Sequence, residues 1–111
     1  MMIKIASDFS PYPGGRYRTD GAWNGQAFRE EKLVPALQRA DVVTVDLDDV
    51  RGLPPSFLEE AFGGLLRDGF KLPDLEKRLK IEARSRQFAR YPAMIWQMMQ
   101  QASGNVSARA V

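Results

Sequence analysis

The chain has 111 residues, 44% of them hydrophobic and 27% charged, the balance of a single globular domain large enough to bury a core. It has no cysteine and no histidine, which excludes disulfides, thiol nucleophiles, thiolate and imidazole metal sites, and the commonest general base. A net charge of +2 is too small to point to nucleic acid, and no apolar run approaches the roughly 18 residues that a membrane-spanning helix needs.

The charge is unevenly placed. Residues 41–60 hold six acids and one base, and residues 71–90 hold seven bases and three acids. Two separate solvated faces are the first explanation, and a partner docking on one of them is the second. The N-terminal stretch MMIKIASDFS lacks the long apolar segment of a secretory signal, so a cytoplasmic location is expected.

In chain order, Ile3 to Ala6 alternates and is β-branched, and predicts a short strand. The Gly- and Pro-rich stretch that follows holds a candidate second strand at Arg16 to Thr19, joined to the first as a hairpin around Gly14-Gly15. Asn24 is placed to cap a helix running through Phe28, Leu33 and Leu37, with Pro35 expected to break or kink it. Val42 to Leu47 is the strongest strand, with the continuous apolar character of one covered on both faces.

Ser56 to Arg67 is the best helix, with Leu58, Ala61, Phe62, Leu65 and Leu66 on one stripe. A short helix over Pro73 to Arg78 and a strand over Leu79 to Ala83 follow. Pro92 opens a last helix, Ala93 to Ala102, whose Met94, Ile95, Trp96, Met98 and Met99 suit core packing first and a homodimer or partner surface second. Residues 1–103 thus form one domain, and 104–111 a flexible tail. The alternation of strands and helices predicts an α/β fold, a small mixed sheet with helices packed on it.

Chemistry concentrates in residues 46–67. Ser56-Phe57-Leu58-Glu59 reads as a capping box, with the Ser56 hydroxyl accepting from the Glu59 N–H and the Glu59 carboxylate reaching back. A helix start also suits a phosphate, and a phosphoryl group on Ser56 would fall beside Glu59, Glu60, Asp48 and Asp49 and repel them. Gly63-Gly64 within the helix points to close approach of a neighbouring backbone, or to a flat surface for a partner.

Other groups have plainer readings. Asp46-Leu47-Asp48 at a strand end is the start of a D-x-D motif. It would serve a small magnesium-dependent phosphohydrolase or a ligand-binding domain, with Asp46 as nucleophile and Asp48 as acid/base. The plainer assignment is turn residues with local hydrogen bonds. Arg16, Arg18 and Arg29 beside Tyr12, Tyr17 and Trp23 form an anion or partner patch, or stack for structural reasons alone. The set Lys77, Arg78, Lys80, Arg84, Arg86 and Arg90 lacks the interleaved aromatics of a nucleic-acid surface.

VVTVDLDDVRGLPPSFLEEAFGGLL resembles the central strand, loop and helix of STAS domains, the bacterial anti-sigma-factor antagonist fold. The chain more closely resembles the STAS-like family of unknown function, through GQAFR at Gly25 to Arg29, the Val-Asp-Leu-Asp run and above all PSFLEEAFGGL. The resemblance implies parallel central strands and a regulatory binding role, with no catalytic residues, cofactor or metal. It further implies a protein partner, a histidine-kinase-like ATPase, that phosphorylates a serine at this helix start. The residues so marked are Ser56, Phe57, Glu59, Glu60, Gly63, Asp48 and Asp49. The family's Asp-Ser-Ser-Gly turn is replaced here by Leu53-Pro54-Pro55-Ser56-Phe57, with a proline where the phosphorylated serine would stand.

Overall fold

The computed structural model describes residues 1–109. Its three strands are β1 (Met2–Lys4), β2 (Val43–Asp46) and β3 (Leu79–Glu82). Its helices are α1 over residues 25–39, α2 over 55–67, α3 (Leu72–Arg78) and α4 (Tyr91–Arg109). The strands lie in chain order, β1-β2-β3, and both pairings are parallel, with Ile3 opposite Val45 and Val45 opposite Ile81. Parallel neighbours require crossovers, which α1 and α2 supply, and the common right-handedness of such connections sends both helices to the same face.

The α/β class therefore stands, with two corrections. No strand forms at Arg16 to Thr19, where Arg18–Asp20 is a short helical turn, so there is no hairpin and the sheet is wholly parallel rather than mixed. Nor is β2 covered on both faces. Ile3, Val43, Val45, Leu79 and Ile81 point into the core, while Met2, Lys4, Lys80 and Glu82 are exposed on the other face and Thr44 is half-buried. On β2 itself the outer pair is Thr44 and Asp46, the latter buried at the strand end, so the strand's apolar side chains Val43 and Val45 both lie on the core face.

Asn24 caps α1 as expected, its Oδ1 accepting from the Ala27 N–H at 2.7 Å. Pro35 does not break the helix. The turn before it, Arg29–Leu33, widens to an i→i+5 pattern in which the Val34 N–H donates to the Arg29 carbonyl. A wider turn moves the carbonyls away from the proline ring, where a regular turn would clash with it. Wide turns also occur at Ile5–Phe9, closed by the Ser10 N–H on the Ile5 carbonyl at 2.8 Å, and at Glu59–Gly63 in the middle of α2.

The apolar stripe of α2 is fully internal: Leu58, Ala61, Phe62 and Leu65 have no exposed surface and Leu66 almost none. Phe9, Phe28 and Phe57 extend it as an aromatic cluster, with ring centroids 5.2 Å apart for Phe9–Phe28 and 5.8 Å for Phe28–Phe57. From α4, Ile95 and Met99 enter the core, while Met94, Trp96 and Met98 are half-buried. The helix does not end at Ala102. It continues through Arg109, with Val106 packed against the core, so most of the segment read as a tail is helical; residues 110 and 111 lie outside the described residues. The C-terminal carbonyls of α1 are met from a distance. Arg78 donates to the Leu37 carbonyl and, at 3.2 Å, to those of Ala40 and Asp41. The basic set is thus partly structural.

Candidate functional site

The C-terminal ends of parallel strands deliver their loops to one edge of the sheet, the usual place for α/β sites. The loop after β2 runs from Leu47 to Pro54, and α2 begins at Pro55. Residues 10–24 lie against it. The Arg51 N–H donates to the Pro11 carbonyl at 2.7 Å, and a Cβ on Gly14 would touch the Pro54 ring at 3.9 Å. On this segment Tyr12, Tyr17 and Trp23 are 64%, 50% and 47% exposed, large apolar surfaces left in solvent. Trp23 is held by an edge-to-face contact with Phe9 at 5.5 Å.

Ser56 does not cap this helix. The cap position belongs to Pro54, extended at φ −61° and ψ 137°, and Pro55 takes the first helical position, where its missing N–H costs nothing. Ser56 is therefore one residue inside the helix and exposed, and the Glu59 carboxylate is engaged elsewhere. The capping-box pattern fails because the helix begins one residue earlier, at Pro55, which leaves Ser56 past the cap position.

Glu59 and Glu60 sit in the wide turn of α2 and are held by three arginines. Arg16 pairs with Glu59 and reaches Glu60 at 3.2 Å; Arg67 meets Glu59 at 2.9 Å and Glu60 at 3.4 Å. Arg29 pairs with Glu60 at 2.7 Å, donates to the Glu60 carbonyl, and meets Asp68 at 2.9 Å. Arg29 and Glu60 are buried, each side chain 7% exposed. The glycines make room for this. A Cβ on Gly64 would overlap the Arg29 guanidinium, and one on Gly63 the Glu59 carboxylate. Side chains, not a neighbouring backbone, make the close approach. Gly63, Phe57 and Glu60 are internal, so of the residues marked from sequence they offer no side-chain surface to a partner.

Asp48 and Asp49 part company. The Asp48 carboxylate accepts from the N–H of Arg84 at 2.7 Å, from the N–H of Ser85 at 3.1 Å and from the Ser85 hydroxyl at 2.8 Å, tying the exit of β3 to that of β2. Asp49 is exposed at the loop tip, in the left-handed region at φ 71°. Asp46 is buried and accepts from the Asp48 N–H at 2.8 Å, the local bond of a turn residue. Among the described residues no three carboxylates gather as a cation site, and no helix is long and apolar enough to cross a membrane. Of the aromatic-flanked arginines, Arg16 lies 6.0 Å from the Tyr17 ring but spends its charge on Glu59 and Glu60, and Arg18 on Glu30 and Glu31.

These contacts predict acid sensitivity. Partial burial alone would raise the Glu59 carboxyl, but hydrogen bonds from Arg67 and Arg16 outweigh it and hold it below its ordinary value of 4.5. The Arg84 N–H, with Ser85, holds Asp48 below 3.8. A carboxyl depressed in the folded state stabilises fully above its unfolded value and loses that contribution as pH falls through the folded one. Urea midpoints are therefore expected to be flat above pH 4.5 and to fall below it, and Glu59→Gln should show a lower midpoint at neutral pH and a shallower fall.

Neither the curated proteins nor the solved structures provide a match to this chain. Among protein families, the model described as a STAS-like domain of unknown function (DUF4325) matches residues 24–85. That span includes α1, β2, the loop of Asp48 and Asp49, α2 with Ser56, and β3. Covering more than half of the sequence and the whole β2–α2 unit, the match shows that the chain belongs to this STAS-like family.

Proposed function

We propose that the chain is a regulatory, non-catalytic protein-binding domain that docks its partner on the start of α2. Family membership supports a regulatory role, and the observation that carries the docking face is the exposed Ser56 beside loop 10–24, with Tyr12, Tyr17 and Trp23 in solvent. Exposed aromatics beside a rigid helix start are the composition of a binding hot spot. The face consists of Ser56 and Pro55, the loop tip at Asp49, and those aromatics. Phe57, Glu60 and Gly63 support it from within.

Ser56 is the switch in this reading, phosphorylated by a kinase-like ATPase partner as the STAS resemblance suggests. The repulsion anticipated from Glu59, Glu60 and Asp48 is muted, because arginines and backbone N–H groups already compensate those carboxylates. A phosphoryl group would instead act on the partner directly, by adding nearly two charges to the docking face.

Two measurements on protein from its native host test this. Peptide mapping across Arg51 to Arg67 is expected to find a phosphoryl group on Ser56. The co-purifying partner should bind Ser56→Asp about tenfold more weakly than Ser56→Ala, a difference of about 1.4 kcal/mol. An unmodified Ser56 with equal binding by the two variants removes the switch, and full binding by Trp23→Ala removes the docking face.

A further inference from the structure

The two edges of the sheet are not alike. On β1, the Thr44 N–H donates to the Met1 carbonyl at 2.8 Å, so Met1 and Ile3 face β2 and Lys4 faces outward. The outward Lys4 N–H is closed by the Asp8 carboxylate at 2.7 Å, a common way of blunting an edge. On β3, the Leu47 N–H donates to the Glu82 carbonyl at 2.9 Å, so Glu82 and Lys80 face β2 and Ile81 faces outward. The Ile81 N–H and carbonyl have no partner among the described residues.

A groove of about 460 Å³ runs along this edge, lined by every residue of β3 together with Glu76, Trp96 and Gln100. Its position follows from topology. α1 and α2 each lead from one strand to the next, and α4 leaves β3 as such a helix would, but no fourth strand follows it among the described residues. α4 therefore overhangs an empty strand position.

We propose that this slot takes an extended segment of a partner protein, added to the sheet as an antiparallel fourth strand. In that register the segment's central residue exchanges both backbone hydrogen bonds with Ile81, and its side chain lies on the packed face beside Trp96. The flanking residues fall opposite Lys80 and Glu82, which are exposed on the other face. An acid opposite Lys80 and a base opposite Glu82 give two complementary cross-strand pairs, and the reverse gives two repulsive ones. Read from its N-terminus, the segment carries a basic–apolar–acidic triplet. A second copy of β3 has this triplet in Lys80-Ile81-Glu82, but it would bring its own α4 to the same face, where the first already lies.

The test is amide exchange by NMR on the full chain, titrated with a capped peptide centred on Lys-Ile-Glu and, separately, on Glu-Ile-Lys. With nine-tenths of slots filled by Lys-Ile-Glu, exchange at Ile81 should slow about tenfold, since only free protein exchanges. The exchange of the two exposed charges, Lys80→Glu with Glu82→Lys, should transfer that preference to Glu-Ile-Lys. Unchanged exchange at Ile81, or equal protection by both peptides, overturns the proposal. Protection of Ile81 that rises with protein concentration and needs no peptide assigns the slot to a second copy and overturns it too.

Discussion

Gly25→Ala is expected to destabilise the protein by about 3 kcal/mol, at the upper end of what overpacking costs. An alanine Cβ there would sit 2.5 Å from the Phe57 carbonyl oxygen and 3.0 Å from the Ala61 nitrogen. Both are backbone atoms of α2, so no rotamer change relieves the overlap. The helices must part, and Phe28 and Phe57, both fully buried and 5.8 Å apart, separate with them. Chemical denaturation checks the size of the loss. Gly104→Ala provides the control: its Cβ would meet nothing within 4 Å, and within α4 it should be neutral or stabilising.

Removing Arg29 is expected to cost more, about 3–5 kcal/mol for Arg29→Ala, the range for breaking a buried ion pair from one side. The variant leaves the Glu60 carboxylate buried without its 2.7 Å partner, and Asp68 without its own. It also empties the space that Gly64 keeps clear. Arg16 and Arg67 reach the other Glu60 oxygen at 3.2 and 3.4 Å, which places the loss toward the lower part of that range. The pair Arg29→Met with Glu60→Gln should recover much of the loss, since no uncompensated charge remains. Arg18→Ala, at the exposed pairs with Glu30 and Glu31, should leave the melting temperature unchanged.

What the sequence made legible was whatever depends on neighbours in the chain. The 3.6-residue stripe of α2, the β-branched run of β2 and the Asn24 cap are each fixed within a few residues, and each formed where expected. The ion-pair network escaped because its members, Arg16, Arg29, Glu59, Glu60, Arg67 and Asp68, are brought together only by packing α1 and the 10–24 loop on α2. Its one trace in the sequence was Gly63-Gly64, a gap in side-chain volume that pointed to an approaching backbone where a guanidinium and a carboxylate stand. Ser56 misled for a local reason: S-x-x-E and a proline at the first helical position compete for the same turn, and the proline's fixed φ prevailed. Of the residues marked for partner binding, Phe57, Glu60 and Gly63 lie beside the apolar stripe yet went inward, because α1 and its Arg29 cover that flank of α2, a contact that no neighbour in the chain specifies.

The chain-order sheet has a consequence for how the protein is made. Each strand pairs with the one synthesised before it, and each crossover helix lies between strands already or next to emerge. No early strand must wait for a late one, so the sheet can assemble in the direction of translation. The exception is α4, which follows all three strands and contributes Ile95 and Met99 to the core. All three strands can therefore pair before α4 supplies the last of the core. The core is complete only when α4 closes over α2.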